Sequence, residues 1–297
     1  MHEFLNSIAD AYLRDPDLRT YTFVFPNVRS KRYFNEYLAG RLGVEPREVS
    51  SLCLTLTQLF EKGCGMKMAS TERLLFMLYR AYCNVRGRQG LEAEPFARFR
   101  FWAQMILNDF NDVDKYLADP KELFRNARDY KKIQSFYLTP AQEEIIRTYW
   151  GSDPYWQSAL KNRDEAAELP FWNHVGMKGE PERKFTQLWA VLGELYEEFR
   201  RLLAVGNECY PGMAYRAVAE SVLLGNDLPF KPRLFVFIGF NRLTHSEHAL
   251  FRQLARRNLA HFYWDYDALL MTHRHANTAG RFISTYVEEF RACSPAV

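Results

Sequence analysis

Residues 233–267 read RLFVFIGFNRLTHSEHALFRQLARRNLAHFYWDYD. Leu234 to Ile238 is an unbroken apolar run, the pattern of a strand buried on both faces of a parallel sheet. Gly239 breaks the run, and Thr244 followed by Glu247 has the spacing of a capping box. Ala249, Leu250 and Leu254 then recur at helical intervals, and Arg256 and Arg257 stand in the last turn, where the helix dipole favours cations. Asn258 ends that helix, and Leu259 to Trp264 reads as a second buried strand running into Asp265 and Asp267. The stretch predicts a β-α-β crossover. Its loops after Ile238 and Trp264 should lie together at the carboxyl edge of the sheet, where such sheets hold ligands.

The opening of the chain carries the same pattern. Phe4, Leu5, Ile8, Ala9, Tyr12 and Leu13 share one helical face, which Asp15-Pro16 ends. Thr22 to Phe25 reads as a strand, followed by Pro26-Asn27 and a helix that turns Tyr33, Phe34, Tyr37 and Leu38 inward. Leu52 to Leu56 is the next strand, leading into a helix through Thr57, Leu59 and Phe60. From about Ala69 to Val205 the pattern is helical throughout, with stripes at Leu74, Leu75, Leu78, Ala81 and Tyr82 and at Phe99, Trp102, Met105, Ile106 and Phe110. Thr139-Pro140 with Gln142 marks another helix start, and the longest stripe runs from Phe185 to Leu203. After Gly206 a helix from Met213 to Leu224 restores the α/β pattern. The expected architecture is an α/β sheet domain of residues 1–68 and 206–297, interrupted by an all-helical insertion of residues 69–205.

Composition narrows the function classes. A hydrophobic share of 47% and a charged share of 25% are those of a globular protein with a real core. The net charge of +3 implies no polyanionic partner by itself, so any nucleic-acid footprint has to be a local patch. The five cysteines are odd in number and never spaced as CxxC, which reads as free thiols in a reducing, cytoplasmic setting. MHEFLNSIAD has neither a basic nor an apolar region of a signal peptide, and no apolar run approaches membrane-spanning length.

The helix after the first strand begins N27-V-R-S-K-R, which sets Arg29, Lys31 and Arg32 at the positive end of a helix dipole. Each such mismatch costs up to ~1 kcal/mol. A docked phosphate offsets it; a solvated basic face is the other reading. No GxxxxGK[ST] string occurs, and Ile238 stands where a magnesium-holding acid would end the buried strand, so both point away from ATP hydrolysis. Asp119-Pro-Lys121 and Glu182-Arg-Lys184 fit half of a metal-dependent nuclease site, but neither follows a strand. Asp109, Asp112 and Asp114 read as solvated acids at a helix end. His245, His248, His273 and His275 have spacing that admits a metal and equally suits exposed helix-start and loop histidines. No cofactor or metal is expected.

Five segments carry a family resemblance. TFVFPNVRSKRYFNEYL resembles the second strand–helix of the helicase-like region in the B subunit of AddAB-type helicase–nucleases, and SLCLTLTQLF resembles the next strand of that family. RLFVFIGFNRLTHSEHALFRQL resembles its Walker B region, with Ile238 in place of the acid. FWAQMILNDFNDVDKYLADPKELF and HFYWDYD are similar to the AddB-like PD-(D/E)XK nuclease-family proteins of Bacteroidetes-type bacteria. The resemblance implies a RecA-like fold of superfamily-one type with a helical insertion, and work on DNA ends in recombinational double-strand break repair beside a helicase partner subunit. The helix of residues 4–14 takes the place of the family's phosphate loop, and the nuclease motif is absent, so the chain is expected to be a fragment or an uncoupled relative. The role carried over is holding single-stranded DNA without chemistry. By position that role falls to Asn27, Arg29, Ser30, Lys31 and Arg32, with Thr57 in the following loop; Asn241 and Arg242 are added from their place at the sheet edge. The rival expectation is a scaffold that docks the partner helicase through aromatics such as Trp150, Tyr155, Trp156 and Trp172.

Overall fold

The computed structural model describes residues 2–124, 191–230, 232–267, 271 and 278–295. The elements run α1 (His2–Leu13), β1 (Tyr21–Phe25), α2 (Val28–Leu42), a short α3 (Pro46–Val49), β2 (Cys53–Thr55), α4 (Leu56–Cys64), β3 (Lys67–Met68), α5 (Thr71–Arg88) and α6 (Phe96–Lys115). They continue with α7 (Leu192–Val205), β4 (Glu208–Cys209), α8 (Pro211–Leu223), β5 (Leu234–Ile238), α9 (His245–Arg256), β6 (Ala260–Tyr263) and α10 (Thr278–Glu289). The signals at Thr139-Pro140, at Phe185 to Trp189, at Glu182 and Lys184, at the four insertion aromatics and at His273 and His275 lie outside the described residues.

Four strands form one parallel sheet in the order β2-β1-β5-β6, and β3 pairs with β4 in a separate parallel ribbon. Alternation along each strand sorts the side chains to two cores. Phe23, Phe25, Val236, Ile238 and Tyr263 pack with Leu5, Ile8, Ala9 and Tyr12 of α1 and with Phe34 and Leu38 of α2. Val24, Leu54, Phe235, Phe237 and Phe262 pack on the other face with α4, α8, α9 and Phe290. The sheet is therefore buried on both sides, as its continuous apolar runs require. Phe237 is the centre of the second core, its ring 4.1 Å from that of Phe251 and 5.3 Å from that of Phe262.

The chain divides into two compact units. One comprises Met1–Tyr79, Glu94–Ala118 and Arg200–Val297; the other comprises Arg80–Ala93 and Asp119–Phe199. The sheet-bearing unit thus includes α6, which the helical pattern alone had grouped with the insertion. In the second unit, Glu198 is buried and accepts from Asn84 at 2.8 Å and from Arg88 at 2.7 Å.

The reason α6 belongs with the sheet is Asp114. Expected among solvated acids, it is instead fully buried. Its carboxylate accepts from Arg216 Nε at 2.5 Å, from Arg200 Nη1 at 2.9 Å and from the Tyr210 hydroxyl. Arg216 also donates to the carbonyls of Val113 (2.9 Å) and Ala118 (2.6 Å), satisfying acceptors that a helix end leaves open. Gly212 lets α8 approach: a Cβ there would stand 2.7 Å from the Asn111 backbone. Asp112 is exposed as expected, whereas Met105, assigned to the inward stripe of α6, is 39% exposed. The stripe is narrower than its spacing implied because α6 meets α8 along one seam.

Two outcomes follow from this packing. Asp114→Asn removes the buried carboxylate that Arg216 and Arg200 share, and urea unfolding should show a loss of about 3–5 kcal/mol. Under α1, Tyr263 donates to the Tyr12 hydroxyl at 3.1 Å, and Tyr12 meets His261 Nδ1 at 2.8 Å, an arrangement that suits the neutral imidazole. Burial holds the His261 pKa below its ordinary value of 6.5. The folded state then binds fewer protons than the unfolded one, so this group's contribution is complete above its unfolded pKa and is lost as pH falls through the folded value. Urea midpoints measured between about pH 7 and about pH 5 should fall more steeply for the wild type than for His261→Asn.

Candidate functional site

The strand order contains a switch point. From β1 the chain crosses through α2, on the face lined by α1, to β2 at one edge. From β5 it crosses through α9, on the opposite face, to β6 at the other edge. The loops after β1 and β5 therefore diverge and leave a crevice between them at the carboxyl edge, the place where open parallel sheets bind ligands. Val24 pairs with Phe237, so the two strands end level and their loops leave side by side.

Local chemistry explains each loop. After β1, Asn27 caps α2: its Oδ1 accepts from Ser30 N at 2.9 Å and from Ser30 Oγ at 3.2 Å. After β2, Thr55 and Gln58 form a capping box at the start of α4 (3.0 and 3.2 Å), so the strand ends at Thr55 and not at Leu56 as its apolar run implies. After β5, Gly239 adopts φ +73°, a conformation that favours glycine, and a methyl there would stand 3.8 Å from the ring of Phe4. Thr244 and Glu247 then make the expected box. Phe4 at Gly239 also places the start of α1 at this rim, so α1, α2, α4 and α9 all direct their N-terminal dipole ends toward one edge.

The residues assigned to the site reach this edge in different states. Arg29 is exposed, and its side chain makes no hydrogen bond or ion pair with any described residue. Lys31 donates from Nζ to Gln58 Oε1 at 3.0 Å, which ties the starts of α2 and α4 together. Arg32 is exposed and paired with Glu36 at 2.8 Å, one turn along the same helix, so its charge is already answered. Ser30 is buried and serves the cap. Thr57, expected in a loop, is the second residue of α4 and shares a 3.1 Å hydrogen bond with the Tyr215 hydroxyl. Asn241 and Arg242 are exposed in the loop after β5. Ile238 is wholly buried in the core beneath α1, so its side chain takes no part in the crevice.

Structure adds residues that no periodicity singled out. Lys115 stands 5.3 Å above the Tyr215 ring, and Tyr116 follows it at the end of α6. Burial raises the Tyr215 hydroxyl to about 12, so it stays protonated as the partner of Thr57. His245 donates from Nδ1 to the Tyr116 carbonyl at 2.6 Å, whereas His248 turns to Glu289 at 2.7 Å, so the two histidines separate instead of sharing a ligand. Asp119 accepts from the backbone of Lys121 (2.8 Å) and Glu122 (3.2 Å), the work of a turn. Asp265 and Asp267 are exposed beyond β6. Among the described residues no group of His, Cys, Asp and Glu is placed to hold a metal, and no helix is long and apolar enough to cross a membrane.

The result is a rim of four helix starts with Arg29, Lys31 and Arg242 on it, suited to a phosphate-bearing ligand. Compared with known proteins, the chain matches no family model, and no curated protein matches it.

Proposed function

We propose that this chain is a non-hydrolysing, RecA-like module of superfamily-one type that holds the backbone of single-stranded DNA in the crevice at the carboxyl edge of its sheet. The observation that carries this reading is the unanswered guanidinium of Arg29 in the first turn of α2. It stands at a switch point, where a cation opposes the dipole of its own helix and no carboxylate of a described residue compensates it. A phosphodiester resolves the conflict by meeting both the side chain and the open backbone N–H groups. Asn241 and Arg242 across the crevice supply a second point of contact. The AddB-like resemblance supplies the setting: DNA-end processing in double-strand break repair, with hydrolysis performed by a helicase partner.

Fluorescence anisotropy of an oligothymidylate against increasing salt tests the reading. Affinity for the wild type should fall steeply with salt, because neutralised phosphates release counterions. Arg29→Ala with Lys31→Ala should weaken binding on all sequences alike and reduce the log–log salt slope by about 1.4, at about 0.7 per lost contact on single strands. Arg29→Ala alone, which disturbs no hydrogen bond of the fold, should give about half that change. Unaltered affinity in both variants would remove DNA from this crevice and leave partner docking as the function to test.

A further inference from the structure

Tyr116 is 38% exposed at the end of α6, yet the backbone on either side of it is held by several hydrogen bonds. Its carbonyl accepts from His245, the carbonyl of Lys115 accepts from Ser246 Oγ at 2.6 Å, and those of Val113 and Ala118 accept from Arg216. Leu117 turns through φ +53°, a left-handed conformation that a side chain rarely adopts, and the amide of Ala118 closes the turn on the Val113 carbonyl at 3.0 Å. Beneath it lies the Asp114 ion cluster. The Tyr116 ring meets the exposed His245 ring edge-on, with centroids 5.6 Å apart and planes at 81°. His245 opens α9, directly beyond the loop that carries Asn241 and Arg242.

We infer that Tyr116 and His245 form a stacking platform for a nucleobase of the strand whose phosphates lie at the crevice. This inference rests on the function proposed above and deepens it. An exposed aromatic ring normally sacrifices side-chain freedom when it binds; here the edge-on contact with His245 already restrains the Tyr116 ring, so less ordering remains. The run from Thr57 through Tyr215 and Lys115 to Tyr116 and His245 is continuous, joining the start of α4 to the start of α9. Cations at the crevice therefore take the backbone while the exposed aromatic pair at its margin meets a base, the division of labour by which proteins bind single strands without reading sequence.

The test compares two probes on the full chain: an oligothymidylate of about 16 nucleotides and an abasic strand of the same length. Tyr116→Ala should weaken the oligothymidylate by about fivefold to a hundredfold and leave the abasic strand unchanged, while Tyr116→Phe keeps wild-type affinity for both. His245→Ala should show the same preference for loss on the base-bearing probe. Equal loss on both probes, or no loss on either, overturns the platform while leaving the backbone grip intact. A wild type that binds neither probe overturns the grip, and the platform with it.

Discussion

Everything in the sheet-bearing unit depends on one ladder. β1 and β5 pair in parallel from Tyr21–Leu234 to Val24–Phe237, joining segments at opposite ends of the chain. A parallel pair cannot be closed by a tight turn, so the chain between its two strands must leave this ladder and return to it. The crevice is a consequence of that ladder: each of its strands feeds a crossover that departs in the other direction, on the other face.

The second constraint is the burial of charge. Asp114 and Arg216 come together away from water, with Arg200 at the margin, at a desolvation cost that their pairing and hydrogen bonds offset. The return is positional more than energetic. By fixing the last turn of α6 to Tyr210 and to α8, with Ser246 of α9 on its carbonyls, the cluster brings Lys115 and Tyr116 to the rim. Without it the helix end would be a frayed, solvated terminus, which is how the acids Asp112 and Asp114 look when only their spacing is considered.

The rim also shows how a fold can hold apparent mismatches. Lys31 keeps its charge while its Nζ hydrogen-bonds Gln58, itself engaged in the cap of α4, and Arg32 is answered by the carboxylate of Glu36. Arg29 is left without such an answer among the described residues. A basic cluster that looks uniform in sequence thus separates into one cation hydrogen-bonded to the neighbouring helix start but still charged, one surface ion pair and one cation with no partner among the described residues.

The strands β1 and β5, the Asn27 and Thr244 caps and the crossover around α9 were legible because each rests on local chemistry: an apolar run, a hydroxyl or amide at helix-start spacing, a glycine at positive φ. Residue types also placed Asn27, Arg29, Lys31, Asn241 and Arg242 beside strand ends, which in a parallel sheet means one edge. What tertiary structure alone decided was membership and partnership. That α6 packs on α8, that Asp114 is dry, that Thr57 meets Tyr215 and that Tyr116 meets His245 all depend on which surfaces face each other across long chain separations. A helical stripe states that a face is buried, and never against what; only the assembled layers determine that.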